Sequence, residues 1–196
     1  LKRFRGDGMQ REEFARFLDW VKNMSLVYEG SAHRTMLRSD SYWFTRLGMS
    51  LERADNTARI LDVKYHVLLP ESERVGGSLD YFQWTTILRE VSALTAYHHV
   101  YRQSLQPWLV ADLLILNKQM PRSLASCYEG VMRHLDLIAD AYGRRGPSQR
   151  LASGTLARLN GCRIEDIFRM GLHEFVDNFV AENNALGAAI AEQYLM

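Results

Sequence analysis

The sequence predicts an all-α protein, a bundle of about six or seven helices joined by short connections. Three observations predict it. Apolar residues recur at spacings of three and four along several long segments, as they do on one face of a helix. No run alternates apolar and polar residues for long enough to make a half-buried strand. Only 4 prolines and 13 glycines punctuate 196 residues, too few for a sandwich or barrel built on many turns.

The elements follow in order. Gln10–Val27 carries Phe14, Phe17, Leu18, Val21 and Met24 at helical spacing, with Glu12 and Glu13 in a first turn that favours acids. The helix continues or restarts through Tyr28 to Leu37. Asp40 is an acceptable N-cap for a long segment, Ser41–Leu69, stopped by Pro70. Glu71–Ser78 reads as a charged loop that ends near Gly76-Gly77. Ser78 or Asp80 caps a helix from Tyr81 to Tyr101. Pro107 suits the first turn of a short helix to Leu116, and Pro121 that of Arg122–Tyr142. After a break at Gly143–Pro147, Ser148–Leu159 is helical and Asn160-Gly161 closes it. Arg163–Tyr194 reads as one last long helix.

Composition narrows the class of protein. Hydrophobic residues make up 47% and charged residues 24%, which excludes wholesale disorder. With 24 Lys+Arg against 23 Asp+Glu, the formal net charge of +1 gives no global argument for nucleic acid or an anionic membrane. The longest apolar run, Leu109–Leu116, is interrupted by Asp112 and is far shorter than the ~20 residues that span a bilayer. The first residues lack the apolar core of a signal peptide. Two cysteines, Cys127 and Cys162, sit in no metal-type cluster and read as reduced thiols. The expectation is a single cytoplasmic domain over residues 1–196.

Ser41–Leu69 breaks the simple pattern. On a wheel at about 100° per residue, Phe44, Leu47, Leu51, Ala54, Ala58, Leu61, Tyr65 and Leu68 form one apolar stripe. Met49, Ile60, Val63 and Val67 form a second, roughly half a turn away. A helix apolar on two sides is packed on two sides, so it is expected inside the bundle. Glu52 and Asn56 fall within or beside the second stripe, and Arg53 borders it. Asp55, Arg59 and Asp62 share another sector. Buried charge costs several kcal/mol unless paired, so partners are expected from Arg46, His66, His173 and Glu174. Two blander readings stand beside this one. Asp55, Arg59 and Asp62 also fit a solvated ladder. Glu52, Arg53 and Asn56 also fit a buried network that sets helix register.

The stretch Leu47-Gly48-Met49-Ser50-Leu51-Glu52-Arg53-Ala54-Asp55-Asn56-Thr57-Ala58-Arg59-Ile60-Leu61-Asp62-Val63 resembles the signature of the bacterial alpha-E domain, a helical domain with a Glu-Arg motif. Further matching stretches are Lys64-Tyr65-His66 with Pro70, Gly76–Trp84, Asn117–Leu124, Gly171–Phe175 and Ala191–Tyr194. The resemblance implies a helical unit usually present in tandem. With one Glu-Arg motif in its helical pattern, the chain resembles the C-terminal half of such a pair. The resemblance also implies a genomic setting beside ATP-grasp ligases, transglutaminase-like proteases and Ntn-hydrolase peptidases, hence peptide ligation or modification.

Catalytic signatures are sparse. No glutamate has a histidine three residues later, as a di-iron bundle needs. Asp62 and His66 are four apart, but one such pair is a weak metal signal, and His98-His99 diverge on a helix. No metal or cofactor is expected. Cys127 has no base tied to it and reads as a structural thiol.

Three functional readings follow. The first is an accessory module that binds an ATP-grasp ligase, a transglutaminase-like protein or a peptide, with Arg53 gripping a carboxylate. Arg46, Asn56, Arg59, His66, His173 and Glu174 would line that site. The second is an enzyme with Glu52 as general acid/base and Arg53 holding an anionic substrate, assisted by His173 or His66. The third is a structural subunit of a homo-oligomer, which predicts a large apolar outer face.

Overall fold

A computed structural model describes residues 11–66 and 77–195, the side chains at 65 and 66 excepted. Among the described residues every regular element is a helix, and there are nine, not six or seven. They are α1 (Arg11–Thr35), α2 (Asp40–His66), α3 (Ser78–Glu90), α4 (Leu94–Tyr101), α5 (Pro107–Ile115), α6 (Leu124–Tyr142), α7 (Pro147–Gly161), α8 (Ile164–Met170) and α9 (Leu172–Tyr194). None of them is long and apolar enough to cross a membrane. The expected end of α2 at Pro70 and most of the loop before Ser78 lie outside the described residues.

The two extra helices come from breaks in segments expected to be continuous. The segment Tyr81–Tyr101 splits because Ser92 takes a left-handed conformation, φ +55°. Ala93 N–H then donates to Leu88 and Ser92 N–H to Arg89, which satisfies the carbonyls that end α3. The left-handed residue is usually glycine, so a serine there gives little warning. The last segment splits at Gly171, φ +109°, which ends α8 and opens α9.

The chain divides into two compact units, Leu1–Tyr42 and Trp43–Met196. In the first, the Arg38 guanidinium sits 3.9 Å from the Tyr42 ring centre, and His33 Nδ1 lies 3.3 Å from the Tyr42 hydroxyl. No residue of α1 is buried.

In the second unit the helix that threads the interior is α5. Leu109, Val110, Ala111, Leu113, Leu114 and Ile115 are all buried. A helix apolar all round belongs in the core. Asp112 is its exception, and it accepts a hydrogen bond from the Tyr101 hydroxyl. That bond and burial together push the Tyr101 phenol upward, burial contributing most.

The expected interior position of α2 is corrected. It buries one row, Leu47, Ala54, Thr57, Ala58 and Leu61. On the second stripe Val63 is 52% exposed, and Met49 and Ile60 are only half-buried. Burying a valine contributes about 1.5–3 kcal/mol. Burying Glu52 and Asn56, within or beside that stripe, without partners would cost more. The polar residues decide, and among the described residues that side of α2 is only partly covered, Val67 lying outside them.

Connections are fixed by side chains. Asn117 Oδ1 accepts from the Gln119 and Met120 amides, Ser123 Oγ donates to the Asn117 carbonyl at 2.6 Å, and Ser123 caps α6. The stretch Asn117–Leu124 is therefore a structured α5–α6 turn, and α6 starts two residues later than expected. The entrance to α7 is held by the end of α9. Gln193 Oε1 accepts from the Ser148 amide and hydroxyl, and Gln193 Nε2 donates to Gln149 Oε1 at 3.0 Å. Gln149 also donates to Tyr194 Oη at 2.7 Å and accepts from the Gly146 amide. A side chain at Gly146 would meet Gln193 at 2.5 Å, so glycine is required there while the network stands.

Candidate functional site

Two polar neighbourhoods lie on α2, and they differ in kind. The first surrounds Glu52. Glu52 is exposed and lines a shallow depression of about 290 Å³ with Leu51, Asp55, Asn183, Asn184 and Gly187. Asp55 Oδ2 accepts from Arg59 Nε at 2.6 Å, while its Oδ1 is buried with no hydrogen-bond partner among the described residues. That contact raises the exposed Arg59 guanidinium above its usual range. Behind the depression, Asn183 on α9 accepts from the Tyr128 hydroxyl at 3.0 Å and donates to the Leu51 carbonyl at 3.2 Å. One buried amide thus joins α9, α6 and α2.

Arg53 turns away from Glu52, as a step of about 100° requires. It is half-buried, and its charge reaches Cys127 on α6. Burial pushes the Cys127 thiol up to about 11, with Arg53 and Arg122 opposing the rise. The thiol is protonated at neutral pH, which fits a structural cysteine. Arg46 lies on the same side of α2. Its charge adds to the burial that lowers His134, whose Nδ1–H donates to the Gly130 carbonyl. Between the two arginines α2 comes close to α6, where a Cβ at Gly130 would sit 3.0 Å from Ser50 Oγ.

The second neighbourhood is at the far end of α2. His173 Nδ1–H donates to Asp62 Oδ1 at 2.6 Å. This hydrogen bond raises the imidazole pKa, and the charge of Asp62 adds to it. Lys64 Nζ pairs with Asp80 at 2.8 Å and donates to Gln83 at 2.6 Å, and both pair members are nearly buried. The ammonium also lies 5.7 Å from the Trp84 ring centre. Leu61, Asp62, Lys64, Trp84, Leu172 and His173 line a partly open pocket of about 170 Å³. Three separate stretches, around Lys64, around Asp80–Trp84 and around His173, therefore meet at one place.

These positions correct the expected constellation. His173 reaches Asp62, ten positions beyond Glu52, or about 15 Å along the helix. Glu52 and His173 do not share a site, and Glu52 has neither the burial nor the neighbouring histidine that the acid/base reading needs. Glu174 is exposed and folds back over Gly171, where a Cβ would lie 1.9 Å from its Oε2. It acts as a first-turn acid of α9. Asn56 is exposed beside Glu52, and the His66 side chain lies outside the described residues. The Asp55–Arg59 pair forms as an exposed ladder would have it. Among the described residues no group of three or more His, Cys, Asp or Glu side chains is placed to hold a metal ion.

Asn183, Tyr128, Lys64 and Asp80 were not singled out from the sequence as site residues. Asn183 had a signal, since it interrupts the apolar row Phe175, Val176, Phe179, Leu186, Ile190. A polar residue on such a row calls for a buried partner.

A family comparison gives this geometry a context. The model of the Alpha-E family, a predicted alpha-helical domain with a conserved ER motif, matches residues 2–195. The chain belongs to the Alpha-E family. The match covers essentially the whole chain, and the ER motif in helical context is Glu52-Arg53 on α2. The dipeptide recurs at Glu73-Arg74, outside the described residues. No curated protein and no solved structure matches the chain. In this Alpha-E domain the motif splits by direction, the acid toward water and the base toward α6.

Proposed function

We propose that the chain is an accessory binding module of a bacterial peptide ligation or modification system. In this reading it works beside an ATP-grasp ligase or a transglutaminase-like protease, as one half of a tandem pair. The observation that carries it is the exposed Glu52 on an open depression, flanked by Asp55, Asn56 and Arg59 and backed by the rigid Asn183 clamp. An open polar face on a fixed helix suits docking of a partner enzyme or peptide more than sequestered chemistry. The ligase and protease partners rest on the resemblance described from the sequence. Arg53 then supports the motif from behind and does not grip the ligand itself.

Pull-down of an ATP-grasp ligase, the partner class that the resemblance implies, tests this. Glu52→Arg should cut the bound fraction at least tenfold with an unchanged urea midpoint. Undiminished binding rejects the reading.

Catalysis is a second reading, favoured by one observation: Asp62 holds the ring of His173 at a partly open pocket that Lys64 also lines. There His173 would be the base, not Glu52. Loss of ligation or hydrolysis in His173→Gln, with binding retained, would favour it over docking alone.

A further inference from the structure

The chain holds two of its own cations in one way, with an acid beside an aromatic ring. Lys64 pairs with Asp80 at 2.8 Å and lies 5.7 Å from the Trp84 ring centre. Arg158 pairs with Glu182 and lies 5.3 Å from the Phe175 ring centre. The ring face attracts the cation in addition to the carboxylate, and tryptophan offers the strongest face. The same residue types meet again between α5 and α8. Trp108, in the first turn of α5, and Ile164, Glu165 and Phe168 on α8 line an open groove of about 430 Å³. Spacings of three and four put Glu165 and Ile164 on the same side of α8 as Phe168. Ile164 and Ile167 are buried and anchor that helix, whereas Trp108 is 46% and Phe168 41% exposed.

Charge and ring faces select the occupant. Among the described lining residues Glu165 alone is charged. Its contact with Arg163, 3.4 Å between two exposed side chains, is of a kind that contributes little. Among the described residues no lysine or arginine of the chain lies over the Trp108 or Phe168 ring. Two rings, an apolar floor and one carboxylate suit a single positive charge carried on an apolar stem. An anion would be repelled by Glu165, and a purely apolar ligand would desolvate that carboxylate without giving it a partner. The geometry points to a lysine side chain of a partner peptide as the occupant. Its four-carbon stem lies along Ile164 and the two rings, and its ammonium reaches Glu165, as Lys64 reaches Asp80 beside Trp84. The groove belongs to α5 and α8, so this assignment is independent of the docking role given to Glu52.

Titration of the full chain with the peptide acetyl-Gly-Lys-Gly-amide tests it, followed through the indole N–H resonance of Trp108. Trp108→Phe identifies that resonance. The lysine peptide should shift it saturably. The acetyllysine and norleucine counterparts keep the stem and lose the charge, and they should bind about tenfold more weakly. Glu165→Gln removes the carboxylate's charge, and Phe168→Leu removes a ring face but stays apolar. Each should weaken the lysine peptide several-fold with an unchanged urea midpoint. Glu52→Arg should leave the titration as in the wild type, which separates this groove from the depression on α2. No shift with the lysine peptide overturns the proposal. Equal binding of the norleucine peptide overturns it too and leaves the groove an apolar surface. Undiminished binding in Glu165→Gln is equally fatal.

Discussion

The two ends of α2 treat charge in opposite ways. At the open end Glu52 and Arg59 stand at the surface, and a local pair joins Arg59 to the half-buried Asp55. Around Lys64 the charged groups are drawn in and matched by residues distant in sequence, Asp80, Gln83 and His173. The helix is the same and the residue types are alike. What differs is whether the facing element supplies a partner. α3 and the start of α9 supply one, whereas the middle of α9 offers Asn184, Gly187 and Ala188, which leave Glu52 in water.

The largest expected effect lies at the buried end. Asp80→Ala leaves the Lys64 ammonium uncompensated in a nearly dry site and should cost about 3–5 kcal/mol, read from urea unfolding. A cost under about 1 kcal/mol would mean that the pair is solvated and that the contrast is false. Next comes the clamp. Asn183→Leu should cost about 1–3 kcal/mol, because the Tyr128 hydroxyl and the Leu51 carbonyl lose their partner. Combining it with Tyr128→Phe should recover part of that loss, and strict additivity would argue against a shared hydrogen bond.

The His173–Asp62 contact should appear as a pH dependence. The folded imidazole pKa is raised above its unfolded value, with the Asp62 hydrogen bond as first cause. Its contribution is thus complete below the unfolded pKa, about 6.5, and disappears as the pH rises through the higher folded value. The urea midpoint should therefore fall across that window in the wild type, and the fall should flatten in Asp62→Asn. An identical slope in the variant would place the dependence elsewhere. The smallest effect belongs to the open end. Glu52→Ala should change stability by less than about 0.5 kcal/mol. A larger loss would make the motif acid a structural residue.

The sequence reveals local features and misses distant ones. Helix class, the proline-led start of α5 and the Asp55–Arg59 pair follow from rules that reach four residues, whereas Pro121 falls in the turn before α6 and Pro147, read as part of a break, opens α7. The break at Ser92 escapes because nothing in a serine announces a left-handed turn. The His173–Asp62 contact joins residues 111 apart in the chain, beyond any periodicity argument. The helical wheel of α2 counted two apolar stripes correctly but could not tell which one would find a neighbour. Charge decided it, and the interior place went to α5, whose flanks carry almost none.

The Gln193–Gln149 network makes the last residues of α9 a latch on the entrance to α7. Trimming the chain before Gln193, a tempting edit for crystallisation, would strip Ser148 and Gln149 of their acceptors at a buried position. A tag placed after Tyr194 respects the latch, and one that replaces it should loosen two helices at once.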